Sequence, residues 1–152
     1  MSFFDTFRVG ASALTAQRLR LDTISNNIAN AETTRTAEGG PYKRQEVVFT
    51  TQSWNTLFPA IVLARRNPEL KTALATKGVQ VAQILTDDAQ GPRVYDPTHP
   101  DADAEGFVTY PNVNIAVEMT NMLSATRSYE AGLAVIEAAK RMAVESIQIA
   151  QR

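Results

Sequence analysis

"LDTISNNIANAETTRT", residues 21–36, joins a regular helical pattern to a run that cannot sustain one. Ile24 and Ile28 keep helical time, yet Asn26, Asn27 and Asn30 fall within five positions. Asparagine is a mediocre helix former, because its short amide competes for backbone hydrogen bonds. Two readings are open. In one, the helix frays into exposed Asn, Ser and Thr, with Asn30 as a left-handed cap. In the other, the amides bond to a neighbouring helix and fix its register, as a buried polar residue does in a helical seam.

Upstream of this stretch, Phe7, Leu14, Leu21 and Ile28 recur every seven residues, and Phe3, Gly10, Gln17, Ile24 and Ala31 form the adjoining row. Such rows make a narrow seam of the coiled-coil kind. Ser2 with Asp5 three residues on approximates a capping box. A helix is expected from about residue 3 to about residue 30, roughly 40 Å long.

Downstream, proline divides the chain. All seven prolines lie between Pro41 and Pro111, and five of the seven glycines lie between Gly39 and Gly106. Proline lacks an N–H and breaks helices, so the order is helix, turn-rich middle, helix. In the last segment Ile115, Met122, Tyr129, Ile136, Ala143 and Ala150 recur every seven residues, flanked by Met119, Leu123, Leu133 and Ile147. A second helix is expected over about 113–150, roughly 55 Å long.

Between the helices, "YKRQEVVFT" (42–50), "GVQVAQILT" (78–86) and "GFVTY" (106–110) read as strands, being rich in β-branched and aromatic residues. Residues 87–106 read as a turn-rich excursion. Trp54, Leu57, Phe58, Ile61 and Val62 suggest a short helical insert within 53–75. The fold class is therefore α+β: long N- and C-terminal helices pairing in a coiled-coil-like core, with a small, mainly β middle domain. The helical core domain is discontinuous, 1–35 plus 112–152, and the outer domain is 36–111.

Two such long rods cannot be covered by a middle segment of this size, since mean helices run about 11–12 residues. The small residues Ala125, Gly132 and Ala139 are expected to face outward, toward other chains. The sequence reads as a subunit of an assembly.

Composition narrows the function classes. Fifteen basic and 16 acidic residues nearly cancel, which argues against a nucleic-acid binder. The absence of Cys excludes disulfides, thiolate nucleophiles and Cys-ligated zinc. No apolar run is long enough to span a bilayer, and "MSFFDTFRVG" has no basic n-region or apolar h-region of a cleaved secretory signal. Asp96, His99, Asp101 and Asp103 could surround a metal. Their Asp-Pro and His-Pro steps instead read as a surface turn, and the spacing fits no metal motif. No Gly-x-Ser-x-Gly elbow or phosphate loop is present. The expectation is a non-enzyme with no cofactor, no metal and no small-molecule substrate.

"SALTAQRLRLDTISNNIANAETTRT" resembles the N-terminal signature of the flagellar axial proteins, the rod, hook and hook-associated family. Leu21, Ser25, Asn26, Asn27, Ile28, Ala29, Asn30 and Thr33 carry that match. "VYDPTHPDADAEGFVTYPNVNIAVEMTNMLSATRSYEAGLAVIEAAKRM" is similar, more narrowly, to the C-terminal part of a proximal rod subunit, with Tyr110, Pro111, Asn112, Val113 and Asn114 leading into the last helix. The apolar stretch 51–76 departs from that family, where the corresponding segment varies and is often polar.

The resemblance implies a structural protein of the basal-body rod. Its terminal helices would pack into a torque-transmitting tube around an export channel. The implied partners are other copies of itself, other proximal and distal rod proteins, the rod-to-MS-ring adaptor and the flagellar type III export apparatus. Export would cross the inner membrane without a cleaved signal. In a tube, register-setting amides become the favoured reading of the asparagines. The expected assembly interface is Phe7, Leu14, Leu21, Ile24, Ser25, Asn26, Asn27, Ile28, Asn30, Asn112, Asn114, Ile115, Met119, Met122, Tyr129, Leu133, Ile136 and Ala143. The competing reading is a soluble coiled-coil adaptor oligomer that binds one cytoplasmic partner; it explains the heptads but not the paired end motifs.

Overall fold

A computed structural model of the chain describes residues 3–52 and 78–150. Ser2 and the expected insert at 53–75 lie outside the described residues. The elements are α1 (Phe3–Ala29), β1 (Gln45–Gln52), β2 (Gly78–Thr86), β3 (Arg93–Tyr95), β4 (Phe107–Thr109) and a C-terminal helix, here α2 (Ile115–Ala150). This is the α+β arrangement expected, with two long terminal helices around a small β middle.

Helix α1 has 27 residues and α2 has 36. Helix α1 ends where expected but not with a left-handed cap. No non-glycine residue described has positive φ. Instead the Asn30 backbone N–H and its side-chain Nδ2 both donate to Asn26 O, at 3.1 and 2.9 Å. Thr33 N–H then donates to Asn30 O. Helix α2 begins under an N-cap: Asn114 Oδ1 accepts from the N–H groups of Ala116 and Val117 at 3.0 and 3.2 Å.

Strands β1 and β2 pair in one two-stranded sheet, and β3 pairs antiparallel with β4 in another. The register of the second places Val94 opposite Val108. Strand β1 starts three residues later than its composition suggests, because Tyr42 N–H donates to Thr33 O. Strand β3 lies inside the segment read as a turn-rich excursion. With three residues it is too short for an alternation signal, and its partner supplies the order. Glycine matters at two close places. Gly106 takes φ +83° at the entry to β4, and a Cβ on Gly91 would lie 2.0 Å from Tyr110 O.

The contacts divide the chain into two compact units. One comprises the described parts of Met1–Arg18, Phe49–Ala82 and Arg127–Arg152; the other comprises Leu19–Val48 and Gln83–Thr126. Each long helix gives one segment to each unit. In the first unit Leu14 packs on Gly132 and Ile136 packs on Gly10. The contacts run in opposite directions along the two helices, so the segments are antiparallel. Ser12 Oγ also accepts from Val79 N–H at 3.1 Å, tying α1 to β2.

One expectation is reversed. Ala125, Gly132 and Ala139 do not face outward: Ala125 is 0% and Ala139 2% exposed, and Gly132 receives Leu14. Small side chains let two helix axes approach closely, so this row belongs inside the pair. The bulkier heptad row is displaced to its edge, with Met122, Tyr129, Ile136 and Ala143 half-buried and Ile115 exposed.

Candidate assembly interface

The second unit closes around Asn27. The first helix delivers this side chain, fully buried, within its last turn. Its Oδ1 accepts from Gln45 N–H and from the Tyr42 hydroxyl, both at 2.9 Å. Its Nδ2 donates to Gln45 O at 2.8 Å and to Glu118 Oε2 at 3.2 Å. A primary amide has two donors and two acceptor sites, and all are used within the chain. Toward Gln45 the amide presents the N–H/C=O pair that a neighbouring strand would present. It therefore pins the start of β1 to α1.

Glu118 comes from the first turn of α2 and is 1% exposed. Its other oxygen, Oε1, accepts from Arg44 Nε at 2.9 Å. Arg44 also reaches Glu46 at 3.2 Å. Burial works against the Arg44 charge, but the bonds and charges of Glu118 and Glu46 outweigh it and hold the guanidinium pKa above its ordinary value. Burial, then the Glu118 carboxylate, raises the Tyr42 pKa. A buried carboxylate is tolerated when its oxygens are hydrogen-bonded and a cation faces it; here Asn27 and Arg44 each donate to one Glu118 oxygen, and Arg44 is the cation.

The expected interface residues divide by where the fold puts them. Asn27 and Ile24 are buried. Phe7, Leu14, Leu21 and Ile28 are half-buried along α1, as are Met122, Tyr129, Ile136 and Ala143 along α2. Asn30 bonds to Asn26 O, Asn112 Nδ2 donates to Asp87 at 3.1 Å, and Asn114 caps α2. Ser25, Asn26, Ile115, Met119 and Leu133 are exposed. The amide signal was thus real, but Asn27 spends it inside its own chain. Tyr42, Arg44, Gln45 and Glu118 were missed by sequence reasoning. The available sign was Glu118 heading a heptad of small residues, Ala125, Gly132 and Ala139.

What the helices leave uncovered is apolar. Among the described residues, ten of the sixteen exposed large hydrophobics belong to α2, so its unburied surface cannot be read as an ordinary solvated face. In the second unit Ile115 and Met119 lie on one flank of the buried row and Val117 on the other. In the first unit Leu133 and Ile147 fall on the first flank, and Val135, Met142 and Ile149 on the second. Leu123 and Val144 lie nearly opposite the buried row. At 3.6 residues per turn the flanks sit about 50–100° to either side of the buried row. Arg127, Glu130, Glu137 and Arg141 occupy the face opposite it, and Lys140 and Glu145 lie on the flanks.

The His99 loop is occupied by local bonds. Asp96 accepts from the Thr98 N–H and hydroxyl, and Asp103 from the N–H groups of Phe107 and Glu105; these bonds lower both carboxyl pKa values. Asp101 N–H donates to His99 Nδ1, and Asp101 accepts from Thr34. These bonds make the segment a turn tied to residues 34–35.

Two family models match the chain at its ends: "Flagella basal body rod protein" over residues 7–35 and "Flagellar basal body rod FlgEFG protein C-terminal" over residues 104–149. The chain is 41% identical to the flagellar basal-body rod protein FlgC of Borreliella burgdorferi, covering 99% of each chain. It is 42% identical to FlgC of Bacillus subtilis, covering 98% of this chain and 99% of that one. The chain belongs to the FlgC family of flagellar basal-body rod proteins. FlgC of Escherichia coli O6:H1 is 34% identical over 99% of this chain and all of its own. As a member of the FlgC family this chain is a structural rod subunit, not an enzyme. Each matched region holds one end of the Asn27–Glu118 hydrogen bond: Asn27 lies in the first and Glu118 in the second.

Proposed function

We propose that this FlgC-family chain assembles with itself and with other rod proteins, proximal and distal, through its terminal helices, and that the assembly is a tubular, torque-transmitting shaft with a central export channel. The observation that carries the proposal is the pair of apolar flanks on α2, each exposed, on either side of the row already used within the chain. A helix with one buried row and two further apolar flanks has room for a neighbour on each side, which is what lateral packing in a tube demands. Stiffness then follows from long helices in mutual contact rather than from any reacting group. The rod-to-MS-ring adaptor and the export apparatus complete the partner set, and export proceeds without a cleaved signal. The family resemblance at both chain ends supports these partners.

The test is Leu133→Glu with Met142→Glu, one substitution per flank, expressed in a flagellated host deleted for its own copy. Both residues are exposed, so the soluble chain is expected to keep its helix content. Basal bodies are expected to lack a complete rod, and cells to be non-motile. Normal rods and normal swimming overturn the proposal.

A further inference from the structure

Helix α2 has three faces apolar enough to pair with another helix, but only one of them buries a charge: Glu118 is buried, whereas Lys140 and Glu145, on the two flanks, are exposed. The row that turns toward α1 is Glu118, Ala125, Gly132 and Ala139, one residue per heptad. Small residues make it the face on which a second helix could approach most closely. Nothing in Ala125, Gly132 or Ala139 distinguishes α1 from another copy of α2. Glu118 does. Against α1 it meets Asn27 Nδ2 at 3.2 Å and, from the following segment, Arg44 Nε at 2.9 Å. Against another α2 it would meet neither, and a carboxylate would be buried without a partner.

We infer that Glu118 is a specificity determinant for helix pairing: it reserves the small-residue face of α2 for α1 and leaves the two exposed flanks to other subunits. This deepens the assembly reading and rests on it. Chains concentrated in one assembly present many α2 helices to one another, and the closest-packing face is the one that would trap them in the wrong pairing. A buried unpaired charge is among the strongest ways to forbid such a contact, since interfaces discriminate by repulsion as well as attraction. Arg44 and Asn27 complete the device, because they are the groups only the correct partner brings.

The chain has no cysteine, so engineered ones report cleanly. Purified chains carrying Ala125→Cys or Ala139→Cys, alone and mixed, are oxidised in the native background and with Glu118→Leu. Parallel α2–α2 pairing joins like positions, and antiparallel pairing joins 125 to 139. The expected result is little disulfide dimer in the native background and about a tenfold or greater rise with Glu118→Leu, the order a buried charge penalty produces. An unchanged yield overturns the inference, as does abundant dimer in the native background. If Glu118→Leu loses its helical circular dichroism, Glu118→Gln decides instead: it keeps shape while removing charge, and its yield is expected to rise severalfold. No rise overturns the inference. Leu133→Cys on an exposed flank serves as the separate control. If it fails to cross-link under assembly conditions, the assembly reading falls, whatever the buried-row cysteines report.

Discussion

The Asn27 side-chain amide donates to the Glu118 carboxylate across 91 residues of sequence, at 3.2 Å, between the two terminal helices. Both partners are buried; the rest of the Asn27 amide is used by Tyr42 and Gln45, and the other Glu118 oxygen accepts from Arg44. The bond therefore belongs to a closed network, and its parts are expected to fail together.

Asn27→Leu strands the Gln45 N–H and C=O, the Tyr42 hydroxyl and one Glu118 oxygen. Each unsatisfied buried group costs about 1–3 kcal/mol; relaxation and entering water recover part of that, so a net loss of about 3–5 kcal/mol is expected in urea unfolding. Asn27→Asp is expected to be about as damaging, because it faces a carboxylate with a carboxylate. Adding Glu118→Gln to Asn27→Asp returns an amide–carboxylate pair with the ends exchanged, while Arg44 keeps an oxygen acceptor. Gln45 O stays unpaired, so partial rescue is expected. A double-mutant cycle reads it as a coupling energy of about 1–3 kcal/mol. Strict additivity would show that the two residues do not interact.

Tyr42 gives the network a pH signature. Its folded-state pKa is raised, first by burial and then by Glu118. The folded chain thus holds the phenolic proton more tightly than the unfolded chain, whose tyrosine titrates near pH 10. That stabilisation is present below about pH 10 and is lost as pH rises through the raised value. Tyr42→Phe is expected to cost about 1 kcal/mol near neutrality, the worth of one hydrogen bond. It is also expected to flatten the alkaline loss of stability. Phenolate absorbance compared between the two chains checks it: the difference curve should titrate above the ordinary tyrosine range.

Gly91 tests backbone packing. A Cβ there would lie 2.0 Å from Tyr110 O and 2.7 Å from the Pro111 carbonyl carbon, both main-chain atoms. Neither can swing away as a side chain does, so Gly91→Ala is expected to cost about 3 kcal/mol, at the upper end of overpacking effects. A stability within error of the parent chain would refute the close approach.

Gly132 makes the contrasting case. Its added Cβ would sit 3.1 Å from Leu14 Cδ2, the far end of a flexible side chain. Gly132→Ala also gains about 1 kcal/mol of helix propensity, so it is expected to be near neutral. Gly132→Leu is expected to cost about 1–3 kcal/mol by overpacking, and Leu14→Ala to recover part of that. Thermal melts of the three variants separate a tight notch from a loose one.

The primary structure on its own determined the two long helices, their ends within about two residues, three of the four described strands and the family. Helical period, proline placement and the paired end motifs are local signals, and each survives folding unchanged. It also showed that the asparagines near the end of α1 were unusual, and that the chain carries more apolar helix surface than it can cover. Tertiary structure decided which row of each helix is inside. Heptad counting favours large side chains, so it chose Ile115, Met122 and Tyr129. Close axial approach favours small ones, so the fold buried Ala125, Gly132 and Ala139 instead. Only the folded chain could say what Asn27 does, because its partners Gln45 and Glu118 stand 18 and 91 residues away. An amide in a sequence declares that it needs partners; the chain's path through space determines who they are.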